Sequence, residues 1–280
     1  SYRQVMEIKP INYQTDTGFT LFQKNKSQAN LEALSEEFES MFINQMLKQA
    51  RDSKLSDALF SSDEEDNLLS QFYLALLYKN ALGVDRDYKT AFKLFKKTSD
   101  KGLLEGHYNL ALFYFNGLGV NKDYKLALEF FNLCKEKIFN ANYYLGQIYL
   151  NGLGVTKNYN VAANFFKTAS EYNISEADCS LGILYLDGLG VPQNYDEAFK
   201  YFKKGVKENI TDCQNGIGWI YDNGLGVVKS IDKALYWYKL AADQNHKEAQ
   251  YNLGNMYYRG EGISEDDAEP LKWYLSLIHK

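Results

Sequence analysis

The sequence has few of the residues on which small secreted scaffolds and disordered chains depend. Among 280 residues there are three cysteines, three prolines and three histidines. Three cysteines cannot supply a disulfide framework, and so low a proline content argues against a Pro-rich disordered chain. No window approaches 18 unbroken apolar residues, so no membrane-spanning helix is predicted. Basic residues are not in excess, since 31 Lys and Arg stand against 36 Asp and Glu, which argues against nucleic acid as a partner.

Aromatic residues are what the chain has in abundance, with 23 Tyr and 17 Phe. Charge is unevenly distributed along the sequence. Residues 1–66 hold 7 basic and 12 acidic residues, whereas residues 67–280 hold 24 of each. The two parts therefore differ in composition, and we predict a boundary near residue 66.

A short glycine-containing motif recurs in the second part. Its six copies begin at residues 81, 117, 152, 188, 224 and 260, in steps of 36, 35, 36, 36 and 36 residues. Four copies read Gly-Leu-Gly-Val, and the first has Ala81 in place of the opening glycine. A period of this length indicates stacked structural repeats. The glycines suit a tight turn with positive φ; a phosphate-binding loop would need a preceding strand, but helical patterns flank every copy.

Each copy of the motif lies between two predicted helices. Before each turn, apolar residues stand seven, four and three positions earlier, and a small residue six positions earlier, which predicts a helix (helix A) closely approached by a neighbour. After the turn, a capping residue precedes a second helix (helix B) that carries an alanine and an aromatic-rich pair. The predicted caps are Asp87, Asp123, Asn158, Asn194 and Ser230. Neither helix buries its apolar stripe alone, so neighbouring units must stack.

This order of small residue, Leu-Gly, Tyr, Gly-x-Gly-Val, [Asp/Asn]-Tyr, Ala and aromatic pair resembles the Sel-one-like repeat (SLR) family. The resemblance covers about residues 67–280 and implies an all-α fold, a right-handed α/α superhelix of six tetratricopeptide-like repeats. It also implies a non-enzymatic protein–protein interaction scaffold. The sixth copy departs from the pattern, with Asp267 in the Tyr position and Pro270 in the Ala position.

No catalytic residues, metal ligands or cofactor site are predicted. The three histidines have no ligand spacing to one another or to the cysteines, and no Ser/His/Asp or Cys/His set stands out. Cys134 and Cys213 align with small residues of other repeats, and Cys179 aligns with aromatic ones. We therefore interpret all three as buried free thiols rather than as disulfide or metal ligands. A cell-wall-acting hydrolase is kept as an alternative function.

Two columns of helix A vary between repeats while the packing columns do not. If helix A lines the concave face, as the family resemblance implies, these columns meet a partner. We call them the A-helix face: Leu76, Leu112, Gln147, Ile183, Trp219 and Asn255, five positions before the turn, and Lys79, Phe115, Leu150, Leu186, Asp222 and Tyr258, two before it. The middle repeats place an apolar stripe here, flanked by Asp187 and Asp222, which favours a protein or peptide partner. The predicted partner-binding residues are Leu112, Phe115, Gln147, Leu150, Ile183, Leu186, Trp219, Asp222 and Tyr258.

The first 66 residues lack the repeat. Residues 1–29 show no helical rhythm and are predicted to form an extended or mobile arm. Residues 30–66 are predicted to form an amphipathic helix of about 20 residues followed by an acidic linker. The apolar anchors of that helix are Phe38, Met41, Phe42 and Met46. Because the helix has no core of its own, we predict that it docks on the A-helix face.

Residues 37–62 resemble the rod-binding region of the flagellar rod-assembly protein FlgJ. The likeness rests on an acidic-aromatic start at Glu37-Phe38, on Met46-Leu47-Lys48, on Arg51-Asp52 and on Leu59-Phe60-Ser61-Ser62. It implies a periplasmic location and a part in flagellar rod assembly, with the rod or the cell-wall machinery as partners. Alternatively, the chain is a cytoplasmic or endoplasmic-reticulum adaptor. The segment is either a binding element of the protein or a ligand fused to its receptor.

Overall fold

The computed structural model describes residues 64–261 of the chain, with side chains from residue 68. The predicted arm, the amphipathic helix and the second helix of the sixth repeat, with Pro270 and Trp273-Tyr274, lie outside the described residues. Within 64–261 the chain forms eleven α-helices and no strand. They are α1 (Glu64–Asn80), α2 (Tyr88–Asp100), α3 (Leu104–Asn116), α4 (Tyr124–Cys134), α5 (Asn140–Asn151), α6 (Tyr159–Glu171), α7 (Ser175–Asp187), α8 (Tyr195–Gly205), α9 (Thr211–Asn223), α10 (Ile231–Ala242) and α11 (Lys247–Tyr258).

Odd-numbered helices are helix A of successive repeats, and even-numbered helices are helix B. Each helix packs mainly on its neighbours in sequence, so that helix A, helix B and the next helix A form a continuous stack. The core is correspondingly divided into clusters at successive helix pairs, each centred on a fully buried aromatic ring of helix B. The predicted all-α solenoid is confirmed.

The glycine turns have the predicted backbone conformation. Four helices end at a glycine whose φ lies between 67° and 73°, namely Gly117, Gly152, Gly188 and Gly224. This left-handed backbone conformation is one that residues other than glycine rarely adopt. The tyrosine before each turn contributes its backbone carbonyl: Tyr149 O, for example, accepts from the N–H of Asn158 at 2.9 Å. The same bond in the other turns fixes where helix B begins.

Helix B begins at the predicted caps. The side chains of Asp87, Asp123, Asn158, Asn194 and Ser230 each accept a hydrogen bond from a backbone N–H in the first turn of the following helix. These bonds satisfy N–H groups that have no partner within the helix. The capping prediction is confirmed in all five repeats.

The small residue within helix A is needed because an aromatic ring of helix B presses on it. A Cβ atom on Gly146 would meet the ring of Phe166, one on Gly182 the ring of Phe202, and one on Gly218 the ring of Tyr238. All three rings have no exposed surface. The close approach predicted from the recurring small residue is therefore confirmed, and the approaching group is the second member of the aromatic pair.

All but one of the described connections from helix B to the next helix A contain a residue with positive φ. Gly102, Asn173, Asn209 and Asn245 each adopt positive φ in their connections. The connection between α4 and α5 belongs to the single 35-residue step and has no positive-φ residue. A cavity of about 420 Å³ opens beside this connection, against α6. It contains none of the predicted partner-binding residues.

Candidate interaction surface

The A-helix face is most open in its middle and final repeats. Ile183 and Trp219 are each 42% exposed, and Tyr258 is 87% exposed. Single exposed apolar residues are common on protein surfaces, so it is their position on one predicted binding face that matters here. The half-buried members of the face are Leu76, Lys79, Leu112, Phe115, Gln147, Leu150, Leu186 and Asn255.

Two predicted binding residues have structural partners. Asp222 is 7% exposed, and both of its carboxylate oxygens accept from Arg259 Nη2 at 3.0 Å. It therefore joins the fifth repeat to the sixth instead of flanking an open stripe. Phe115 packs edge-to-face with Tyr124 and Tyr144, with ring centroids 5.4 Å apart in each pair, so its ring is largely engaged within the array.

A cavity of about 200 Å³ lies where three predicted residues converge. Gln147 and Leu150 come from α5, and Ile183 comes from α7. Its lining is completed by residues that were not predicted to bind a partner: Tyr143, Glu176, Cys179, Ser180, Leu184, Leu189 and Asp212. Leu184 is 1% exposed and forms part of the floor, whereas the Asp212 side chain is 62% exposed and lies at the rim. We call this feature the A-face cavity.

The charged groups that line the A-face cavity are both acidic. Glu176 and Asp212 stand at the same position of their helices, twelve residues before the turn, with Glu105 and Glu248 in that column elsewhere. Burial raises the pKa of Tyr143 to about 12, and the negative charges of Glu176 and Asp212 act in the same direction. Asp212 Oδ1 lies 2.8 Å from His246 Nε2. The cavity thus combines apolar walls with two carboxylates.

The cysteine interpretation was wrong for two of the three residues. Cys179 of α7 and Cys213 of α9 form a disulfide, with their Cα atoms 5.0 Å apart. Only Cys134 is a buried free thiol. The bond connects helix A of the fourth repeat directly to helix A of the fifth, and Cys179 is part of the A-face cavity wall. It therefore holds together the two helices that present Ile183 and Trp219.

We expect the paired variant Cys179→Ala/Cys213→Ala to lower the free energy of unfolding by about 2–3 kcal/mol. The reason is that the bond closes a long loop, with 34 residues of separation, and so restricts the unfolded chain. Urea unfolding followed by circular dichroism measures the effect. In the control Cys134→Ala a reducing agent should still destabilise the protein, whereas in the paired variant it should have no effect. Equal sensitivity of both variants to reduction would contradict the disulfide.

No metal-binding cluster and no membrane-spanning helix are found in the part of the chain that the structure describes. Between residues 64 and 261, no three His, Cys, Asp or Glu side chains are grouped so that they could hold a metal ion. In the same part of the chain, no helix is both long and apolar enough to cross a membrane. The A-face cavity and the exposed Ile183 that lines it lie on the face predicted to bind a partner.

The stacked helical hairpins and the open A-helix face define an α-solenoid of the kind that binds other proteins. The Sel1 repeat family model matches residues 68–103, 104–133, 140–171, 175–209, 211–246 and 247–277. The chain therefore belongs to the Sel1 repeat family, whose members are protein-interaction scaffolds.

Two solved structures share this architecture. A Sel1 repeat protein from Oxalobacter formigenes is 28% identical, with a TM-score of 0.71 over 86% of this chain and 99% of that one. The protein c5321, a protective antigen present in uropathogenic Escherichia coli strains and displaying an SLR fold, is 27% identical, with a TM-score of 0.64. That match covers 76% of this chain and 46% of c5321. No curated protein matches the chain.

Proposed function

We propose that this protein is a scaffold whose A-helix face binds an amphipathic helix, with residues 30–51 of the same chain as one such helix. The observation that carries the proposal is the convergence of Gln147, Leu150 and Ile183 on one cavity, with exposed Trp219 on the next repeat. Apolar side chains spaced along one side of a helix are the usual anchors for such a groove. The anchors available within this chain are Phe38, Met41, Phe42 and Met46.

We further propose that the protein acts in the periplasm, in assembly of the flagellar rod. The disulfide supports an oxidising compartment, because structural disulfides are rare in cytosolic proteins. The likeness of residues 37–62 to the rod-binding region of FlgJ supports the rod as a partner. A thiol-trapping assay on cells tests the compartment: Cys179 and Cys213 should be oxidised in the native protein, and reduced cysteines would favour the cytoplasmic alternative.

A binding measurement tests the scaffold proposal. The receptor is the full chain with Phe38→Ser and Phe42→Ser, so that its own segment does not compete, and the probe is a labelled peptide of residues 30–62. Trp219→Ala should weaken binding by about 10- to 100-fold, because an aromatic residue at the centre of a groove is a frequent hot spot.

The matched control for that measurement is Tyr236→Ala. Tyr236 is 60% exposed but lies on α10, a helix B, outside the A-helix face. Its loss should leave the affinity unchanged. Equal effects of the two substitutions, or no binding at high micromolar peptide, would contradict docking of this segment on the A-helix face.

A further inference from the structure

The A-face cavity has a chemical character that restricts what enters it. Its apolar wall is made by Leu150, Ile183, Leu184 and Leu189, with the Tyr143 ring beside them. Its charged groups are the carboxylates of Glu176 and Asp212, and no Lys or Arg belongs to the lining. An occupant therefore meets both apolar surface and negative charge.

The carboxylates have few partners of their own. Within residues 64–261, Glu176 forms no ion pair, although it lies close enough to influence the ionisation of both Tyr143 and Tyr108. Asp212 is paired with the imidazole of His246. Covering these carboxylates with a purely apolar side chain would remove water from them without replacing its hydrogen bonds, which is costly.

We propose that the A-face cavity binds an arginine side chain carried by the docked segment. The three methylene groups of arginine suit the apolar wall, as such stems commonly lie along apolar surface while their charged ends stay near water. The planar guanidinium forms bidentate hydrogen bonds with carboxylates and stacks on aromatic rings, which Glu176, Asp212 and Tyr143 provide. The cavity of about 200 Å³ holds one side chain of this kind, and an acidic side chain is excluded by charge.

The inference rests on the proposed function for the presence of a docked segment, but its test does not use that segment. The probe is N-acetyl-arginine methylamide, and the matched probe is its citrulline analogue, which has a similar shape without the charge. Methyl NMR of the full chain reports on Ile183, whose resonance is assigned from an Ile183→Val variant. The arginine probe should shift this resonance saturably, and the citrulline probe should bind about tenfold more weakly or not at all.

Variants of the protein locate the site. Glu176→Gln should weaken binding of the arginine probe by about tenfold and leave the citrulline probe unaffected, since hydrogen bonds to charged groups are the stronger ones. The control is Glu105→Gln, in the same column but outside the cavity, which should change neither. Added salt should reduce the difference between the two probes.

The two arginines of the first 66 residues are examined in the variant Arg3→Gln/Arg51→Gln. Tighter probe binding to this variant would mean that one of them already occupies the cavity, which supports the proposal. Equal shifts from both probes, or no saturable shift in either chain, would overturn it. That result would leave the peptide measurement on Trp219 standing, so failure of the arginine site is distinct from failure of the scaffold proposal.

Discussion

Replacing Gly190 with valine should lower the free energy of unfolding by about 3 kcal/mol or more. Gly190 has φ of +71°, a conformation that costs other residues about 1–3 kcal/mol. A Cβ atom there would also collide with the backbone carbonyl of Tyr159 at the start of α6, and backbone atoms cannot move aside as a flexible side chain can. Urea unfolding monitored by far-UV circular dichroism measures the loss.

Two variants separate backbone strain from collision. Gly102 has φ of +85° and nothing within 4 Å of an added Cβ, so Gly102→Ala carries the conformational cost alone. It should lose about 1–2 kcal/mol, less than Gly190→Val. Gly154→Val should fall between them, since an added Cβ would lie 3.2 Å from Tyr124 Cβ and 3.3 Å from both Cγ and the backbone nitrogen of Lys125, a milder crowding than at Gly190. Gln147→Ala, on the A-helix face, should change stability by less than about 0.5 kcal/mol. Equal losses for Gly190→Val and Gly102→Ala would show that the packing at the turn is misplaced.

The scaffold was predictable from the sequence because each of its features is local and repeated. A cap such as Asn158, a turn glycine such as Gly152 and a small residue such as Gly146 each satisfy a requirement set within about 20 residues. Repetition then distinguishes a structural requirement from an accident of one segment.

The disulfide and the cavity were not predictable in the same way because they depend on differences between repeats. Each cysteine resembles or departs from its own column of repeats, whereas the bonded Cys179 and Cys213 lie in different units and in different columns. Cys179 stands at a position where four other repeats have a larger, aromatic side chain, namely Phe72, Tyr108, Tyr143 and Tyr251. Its smaller side chain leaves space beside Tyr143, and that space is part of the A-face cavity. Comparing the column that contains Glu176 and Asp212 would have indicated the acidic rim.

A column of polar side chains, ten residues before each turn, is a second feature that the sequence analysis missed. Its members are Gln71, His107, Asn142, Asp178, Gln214 and Gln250. Where the residue is an amide it can donate to carbonyls near the end of the preceding helix B. Asn142 Nδ2 donates to Lys135 O at 2.9 Å, and Gln250 Nε2 donates to Ala242 O at 3.2 Å. Such bonds satisfy carbonyl groups that have no partner within their helix.

In the fourth repeat this amide is replaced by an acid, and a lysine provides the missing donor. Asp178 is 1% exposed, and its carboxylate cannot donate to a carbonyl. Lys204 of α8 donates instead to the backbone carbonyl and the Oγ of Ser170, and it lies 3.1 Å from Asp178 Oδ1. The Ser170 hydroxyl donates to the same carboxylate oxygen, while Asp178 Oδ2 is buried without a partner among the described residues. Lys204 thus supplies a hydrogen bond to the Ser170 carbonyl and compensates the negative charge of Asp178.

Replacing Lys204 with methionine should therefore lower the free energy of unfolding by about 3–4 kcal/mol at pH 7. Removing one partner of a buried pair leaves the other charge without compensation, and the loss should lie at the low end of the usual range because Lys204 is 37% exposed. Lys200→Met is the control, since that lysine is 71% exposed and forms its ion pair with Glu197 on its own helix, and it should cost less than about 0.5 kcal/mol.

The destabilisation caused by Lys204→Met should also depend on pH, in a direction set by the ionisation of Asp178. Burial raises the pKa of Asp178 above its ordinary value of 3.8, although hydrogen bonds from Ser170 and Lys204 oppose the shift. Because its pKa is raised in the folded protein, protonation of Asp178 stabilises the fold. This contribution to the free energy of unfolding is fully present below about pH 3.8 and is lost as the pH rises through the pKa of the folded state. Removing Lys204 raises the pKa of Asp178 further. The decrease in the free energy of unfolding caused by Lys204→Met should therefore become smaller as the pH falls from 7 to 4. In Asp178→Asn/Lys204→Met the asparagine can donate as Asn142 does, so most of the stability should return and the pH dependence should disappear. A loss that is the same at both pH values would show that the charge of Asp178 is not what Lys204 compensates.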